Sequence, residues 1–189
     1  MLSVLIFIAI LLAGNCVFGF TIVLDPGHGG TEPGAIAQNG ELEKDLNLKI
    51  ARYLKEYLEE YDVKVLMTHN GFSGYQYEIF DRAMFARSQN ADLVLSLHLN
   101  STAGASGAEV YVTANKSLDK YYNNSASLGN KILRNLSKLG IGNRGVKTST
   151  RSDPTDVYSD GTRADYYGII AYSMRGCKID YGVISPAGA

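Results

Sequence analysis

Short apolar runs alternate along this chain with longer amphipathic segments, and this alternation constrains the fold more than any other feature. Runs rich in Val, Ile or Leu and typical of strands occupy 21–24, 63–67, 92–97 and 108–113. Apolar residues recur at three- and four-residue steps, the spacing of an amphipathic helix, over 43–60, 77–88 and 118–139. Strands joined through helices make right-handed crossovers. We therefore expect an α/β fold with a largely parallel sheet covered by helices on both faces.

Length and charge balance limit the class of protein further. The 189 residues fit a single domain. Lys and Arg total 18 against 19 for Asp and Glu, so the chain has no net positive field and we expect no nucleic-acid partner. The 2 cysteines exclude a disulfide scaffold and a zinc cluster built only from thiolates.

The N-terminus carries an apolar segment that we do not expect to belong to the folded domain. Residues 2–12 are almost entirely apolar, and the first charged side chain is Asp25. This pattern predicts a secretory signal peptide over 1–19, cleaved after Gly19, and therefore a secreted protein. An uncleaved membrane anchor and a lipid attachment at Cys16 are the alternatives. Contact with a membrane is expected only through this segment.

Potential metal ligands fall at one predicted edge of the sheet. His28 follows the first predicted strand and His98 ends the third, so both imidazoles would emerge where the carboxyl ends of parallel strands meet. Glu43 begins the intervening helix near the same edge, where a helix-capping role is its alternative. Two histidines and a carboxylate are a ligand set of catalytic zinc. His69 also follows a strand and is a rival third ligand.

Motifs around these residues continue in a regular order between residues 21 and 147. They are Asp25-Pro26-Gly27-His28-Gly29-Gly30, Pro33-Gly34-Ala35, Glu43-Lys44-Asp45-Leu46-Asn47-Leu48, Ser96-Leu97-His98-Leu99-Asn100 and Asn143-Arg144-Gly145-Val146-Lys147. In residue type and order they resemble the zinc-dependent N-acetylmuramoyl-L-alanine amidases, bacterial cell-wall hydrolases. The resemblance implies that His28, Glu43 and His98 bind Zn²⁺. It also implies that the substrate is peptidoglycan, cut between N-acetylmuramic acid and L-alanine. We assign Asn100 and Arg144 to substrate binding.

The end of the chain departs from the family pattern. In the family the general base is a glutamate on a last apolar strand, but here no glutamate follows Glu109. We expect Glu109 to be an exposed strand residue rather than that base, so the catalytic residue is unknown. We interpret 148–185 as a Tyr-rich insertion within an amidase domain spanning 20–189. The domain is then expected to lack its last strand through a C-terminal truncation.

Three functions follow from these observations. The first is a secreted or cell-wall-associated amidase that requires zinc. The second is an inert fragment that binds zinc and peptidoglycan, because the general base is missing. The third is a zinc peptidase of the carboxypeptidase kind, which uses a similar ligand set.

Overall fold

The computed structural model describes residues 19–72, 78–99, 106–115, 119–173 and 177–182. Its strands are β1 (Thr21–Pro26), β2 (Lys64–Met67), β3 (Leu93–Leu97), β4 (Ala108–Tyr111), β5 (Asn143–Lys147) and β6 (Cys177–Gly182). Its helices are α1 (Glu43–Glu59), α2 (Ile79–Ser88), α3 (Asp119–Lys138) and α4 (Gly168–Ser173). The strands and long helices expected from the periodicity are all present, with ends within a few residues of the expected ones.

The strands form one 6-stranded sheet in the order β2-β1-β3-β6-β4-β5. All neighbouring pairs are parallel except β4 and β6, which are antiparallel. This confirms the largely parallel α/β sheet. Because β1 and β3 lie side by side, with Asp25 opposite Ser96, the loops after these two strands leave the sheet next to each other.

Helices cover the sheet on both faces, as the alternation predicted. On one face α1 and α3 pack against β-strand side chains such as Leu24, Leu95 and Val110, all of them buried. On the other face the shorter α2 and α4 pack over Val23 and Val94. Apolar burial on two faces explains why β1 and β3 read as continuous apolar runs.

The sheet contains a strand that the sequence did not predict. Strand β6 lies between β3 and β4 and pairs with both. Its sequence Cys177–Gly182 alternates polar and apolar residues and lies inside the segment we interpreted as a Tyr-rich insertion. Helix α4 lies in that segment too. Pairing with two neighbouring strands, rather than a strongly apolar sequence, supports β6.

Residues 148–173 are fixed to the edge of the domain by a buried carboxylate. Asp165 is 0% exposed. It accepts hydrogen bonds from Thr113 Oγ1 at 2.7 Å, from the Ala114 amide at 2.7 Å and from the Tyr158 hydroxyl at 2.8 Å. The segment is therefore an integral wall of the domain.

The expected signal peptide or anchor lies, up to residue 18, outside the described residues. Among the helices that the structure does describe, none combines the length and apolar character needed to cross a membrane.

Candidate metal centre

His28, Glu43 and His98 converge at the carboxyl edge of the sheet. One potential ligand atom from each lies within 4.8 Å of the others. Glu43 Oε1 is 3.2 Å from His28 Nε2 and 3.3 Å from His98 Nδ1. The two imidazole rings meet edge to face with centroids 5.0 Å apart. The three side chains therefore lie together at the edge of the sheet that the sequence predicts.

Glu43 is held in place by the main chain around it. It is the first residue of α1 and is 5% exposed. Its Oε2 accepts a hydrogen bond from the Ala35 amide at 2.9 Å, and its Oε1 accepts one from the Leu99 amide at 2.9 Å. These contacts orient the carboxylate toward the imidazoles, so Glu43 does more than favour the start of the helix.

His28 lies in a backbone conformation that another side chain supports. Its φ of 63° is in the left-handed region, which costs energy for a residue other than glycine. The buried Arg82 of α2 donates to the Pro26 carbonyl at 2.8 Å and to the His28 carbonyl at 2.5 Å. The guanidinium thus holds the loop that carries this imidazole.

Asp25 belongs to the same buried hydrogen-bond network as Arg82, next to the loop that carries His28. Its carboxylate accepts from Thr68 Oγ1 at 2.7 Å and Ser96 Oγ at 2.7 Å, and it is paired with Arg82 at 3.3 Å. Burial pushes the pKa of Asp25 upward, but the Arg82 charge and the two hydroxyl donors outweigh it. The net pKa lies below the ordinary value of 3.8. An ionised Asp25 is thereby compensated inside the fold.

The pKa shifts of Glu43 and His28 indicate a charged carboxylate beside the imidazoles. Burial raises the pKa of Glu43, but hydrogen bonds from His28, His98 and the Ala35 amide outweigh it and hold it well below its ordinary value. The hydrogen bond to Glu43 is the main reason that the pKa of His28 is raised. An anionic oxygen between two imidazole nitrogens fits a divalent cation of the zinc type, which would take the place of the protons shared there.

His69, the rival ligand, forms hydrogen bonds with backbone groups instead. Its Nε2 lies 2.7 Å from the Pro26 carbonyl, and its Nδ1 accepts from the Gly71 amide at 3.2 Å. Burial is the main cause of its lowered pKa, which favours the neutral ring with a proton on Nε2. His69 is not in the group of converging ligand atoms found among the described residues.

The triad of His28, Glu43 and His98 lines a cavity of about 460 Å³, within the usual size range of small-molecule sites. The lining includes the polar side chains Asp25, Glu32 and Arg82 beside the triad. It also includes Ile79, Tyr111, Tyr166, Tyr167, Gly168 and Ile169, which we name the tyrosine wall. The segment interpreted as a Tyr-rich insertion, 148–185, thus contributes Tyr166 and Tyr167 to the lining, a position that the sequence did not indicate.

Glu109 is not the exposed strand residue that the sequence predicts. It is 2% exposed and accepts from Arg144 Nε at 3.0 Å, from the Tyr111 hydroxyl at 2.9 Å and from Lys147. Arg144 is thus anchored near the cavity through Glu109 and Tyr111, and its substrate contact stays a prediction. Asn100 lies outside the described residues.

Known proteins of similar sequence include a phage endolysin and a bacterial amidase. An endolysin of Bacillus phage SPP1 is 39% identical over 139 residues, which are 68% of this chain and 47% of the endolysin. The N-acetylmuramoyl-L-alanine amidase LytC of Bacillus subtilis is 37% identical over 140 residues, 71% of this chain and 26% of LytC. The chain therefore spans about half or less of these two relatives.

Solved structures share the fold. The CwlD amidase of Clostridioides difficile, solved in complex with the GerS lipoprotein, matches with a TM-score of 0.66 and 25% identity. That match covers 87% of this chain and 81% of CwlD. Cwp6 of Clostridium difficile matches with a TM-score of 0.66 and 26% identity over 86% of this chain and 24% of Cwp6.

The sequence pattern of a whole protein family also matches. It extends over residues 22–187 and so includes every strand and helix described above except Thr21, the first residue of β1. By this match the chain belongs to the N-acetylmuramoyl-L-alanine amidase family.

Proposed function

We propose that this protein binds one zinc ion through His28, Glu43 and His98 and hydrolyses the amide bond between N-acetylmuramic acid and L-alanine of peptidoglycan. The observation that carries the proposal is the convergence of the three ligand atoms, within 4.8 Å of one another, in the lining of the cavity. Membership of the amidase family supports the same substrate and bond.

The residues of the site fit the chemistry of amide hydrolysis. Zinc bound there would polarise the scissile carbonyl and bring the pKa of a water toward ~7. Glu43 supplies the negative ligand, and its contacts with the Ala35 and Leu99 amides keep it aimed at the imidazoles. The cavity of about 460 Å³ beside these residues leaves room for part of the substrate. Amide hydrolysis also requires a group that transfers a proton to the leaving amine.

Asp180 is our candidate for that proton transfer. By backbone register it stands opposite Ser96 on β3 and opposite Tyr111 on β4, near the edge where His98 follows β3. In the family the general base is carried by the last strand, and β6 is the last strand described here. Aspartate has the same chemistry as glutamate with one methylene less. We expect Asp180→Asn to keep its zinc and to lose at least about a hundredfold in turnover.

Zinc analysis combined with wall hydrolysis tests the proposal. The purified protein should hold one equivalent of zinc and release dye from dye-labelled cell walls. Glu43→Gln should lose both properties, and His28→Ala and His98→Ala should bind zinc weakly. Glu41→Gln is the matched control, because Glu41 is an exposed carboxylate two residues away that contacts Asn39. Absence of zinc, or equal zinc in Glu43→Gln and Glu41→Gln, would refute the assignment.

Product analysis separates the remaining functions. An amidase frees intact stem peptides from glycan, whereas a peptidase of the carboxypeptidase kind shortens them. Walls that are bound but never cleaved would identify an inert binding protein.

We further propose that the protein acts outside the cell after export by its N-terminal segment. The N-terminal sequence of the mature protein tests this, since cleavage after Gly19 should give Phe20 as the first residue.

A further inference from the structure

The tyrosine wall offers an exposed aromatic ring beside the metal centre. Tyr166 is 61% exposed, although it lines the same cavity as His28 and His98. We propose that the Tyr166 ring is a platform for a pyranose ring of the glycan strand, next to the bond that is cut. This inference rests on the proposed function, because it names the part of the substrate that the wall binds.

Tyr166 is rigidly mounted for an exposed side chain. Its amide donates to the Ser149 carbonyl at 2.9 Å, and the preceding residue, Asp165, is fully buried. Its ring meets the Tyr167 ring edge to face at 5.1 Å, and Tyr167 in turn contacts the Tyr111 ring at 4.7 Å. A ring whose backbone is already ordered loses little conformational entropy when a ligand stacks on it.

The residues next to Tyr166 favour a sugar over a stem peptide at this position. The cavity-lining residues that follow it in the chain, Tyr167, Gly168 and Ile169, carry no formal charge. The charged residues of the lining, including Asp25, Glu32 and Arg82, come from other segments. A pyranose presents an apolar C–H face and neutral hydroxyl groups, which suit a tyrosine ring and its hydroxyl. Peptide carboxylates would find no fixed cation among the residues of the tyrosine wall.

Sedimentation with purified, insoluble peptidoglycan at 4 °C tests the platform without requiring turnover. Tyr166→Ala should weaken binding about five- to tenfold, and Tyr166→Phe should stay within about twofold of the unaltered protein. Tyr53→Ala is the matched control, because Tyr53 is an exposed tyrosine on α1 outside the cavity lining. Zinc content and melting temperature should be the same in all variants.

Competition identifies the occupant. Peptide-free glycan strands should displace the unaltered protein from the walls and should compete poorly with Tyr166→Ala, whereas isolated stem peptides should act equally on both. Unchanged binding of Tyr166→Ala, no binding by the unaltered protein, or a Tyr166-dependent effect of stem peptides alone would each overturn the proposal. Binding that depends on Tyr166 without any hydrolysis would uphold the platform and refute the proposed amidase activity instead.

Discussion

Arg82 supports the candidate metal centre by holding the loop that carries His28, and its replacement tests this role most directly. The Arg82–Asp25 pair is buried, with side-chain exposures of 5% and 3%. Removing one partner of such a pair leaves an uncompensated charge in the interior and costs roughly 3–5 kcal/mol. Arg82→Ala should therefore lose a large part of the roughly 5–15 kcal/mol by which a domain is stable. Arg82→Lys keeps the charge but not the planar fork, and should lose roughly 1.5–3 kcal/mol.

Two measurements separate the structural effect from the effect on the site. Urea unfolding with a chelator present gives the free energy of unfolding without a contribution from metal binding. Zinc titration of folded Arg82→Lys should show roughly ten- to hundredfold weaker binding, because the guanidinium also holds the Pro26 and His28 carbonyls.

Arg87→Ala on the same helix is the control. Arg87 is exposed, and interactions of exposed charges contribute little, so its loss should cost no more than about 1 kcal/mol. Our reasoning about the network fails if Arg82→Ala costs less than about 1 kcal/mol. The positioning role fails if Arg82→Lys binds zinc as tightly as the unaltered protein.

Three further changes probe the loop, the docked segment and the pH response. In Gly27→Ala the new Cβ would clash with the His98 ring, with Nε2 at 2.6 Å, so zinc affinity should fall at least tenfold by titration. In the control Gly142→Ala the nearest atom to the new Cβ would be 3.6 Å away, an ordinary contact, so zinc affinity should not change. Asp165→Ala strands three donors and should lower the free energy of unfolding in urea by roughly 3 kcal/mol or more, and a loss under about 1 kcal/mol would contradict this. Burial raises the pKa of Glu109, but hydrogen bonds from Lys147, Arg144 and Tyr111 hold it below 4.5. Its stabilisation is therefore present above pH 4.5 and lost as the pH falls below it. The stability gap between the unaltered protein and Glu109→Gln should narrow from pH 7 to pH 3.5 in urea unfolding, and a constant gap would refute the assignment.

Much of the fold could be predicted because its signals are local. Helix α1 was expected at 43–60 and forms at Glu43–Glu59, since its apolar stripe reports one buried face within the segment itself. Strand β6 was missed because the apolar residues of Cys177–Gly182 alternate with polar ones over a short segment rather than forming an apolar run. Its position depends on two partners, β3 and β4, which are distant in the sequence.

The sequence by itself determined the alternating α/β architecture and the edge at which His28, Glu43 and His98 meet. Strand ends and helix starts are local features, and parallel pairing brings them to one side of the sheet. Only the tertiary structure decided that Glu109 is buried under two cations, that Arg82 carries the His28 loop and that Tyr166 faces the cavity. Each of these depends on contacts between segments far apart in the chain, and the periodicity of one segment contains no record of its distant partners.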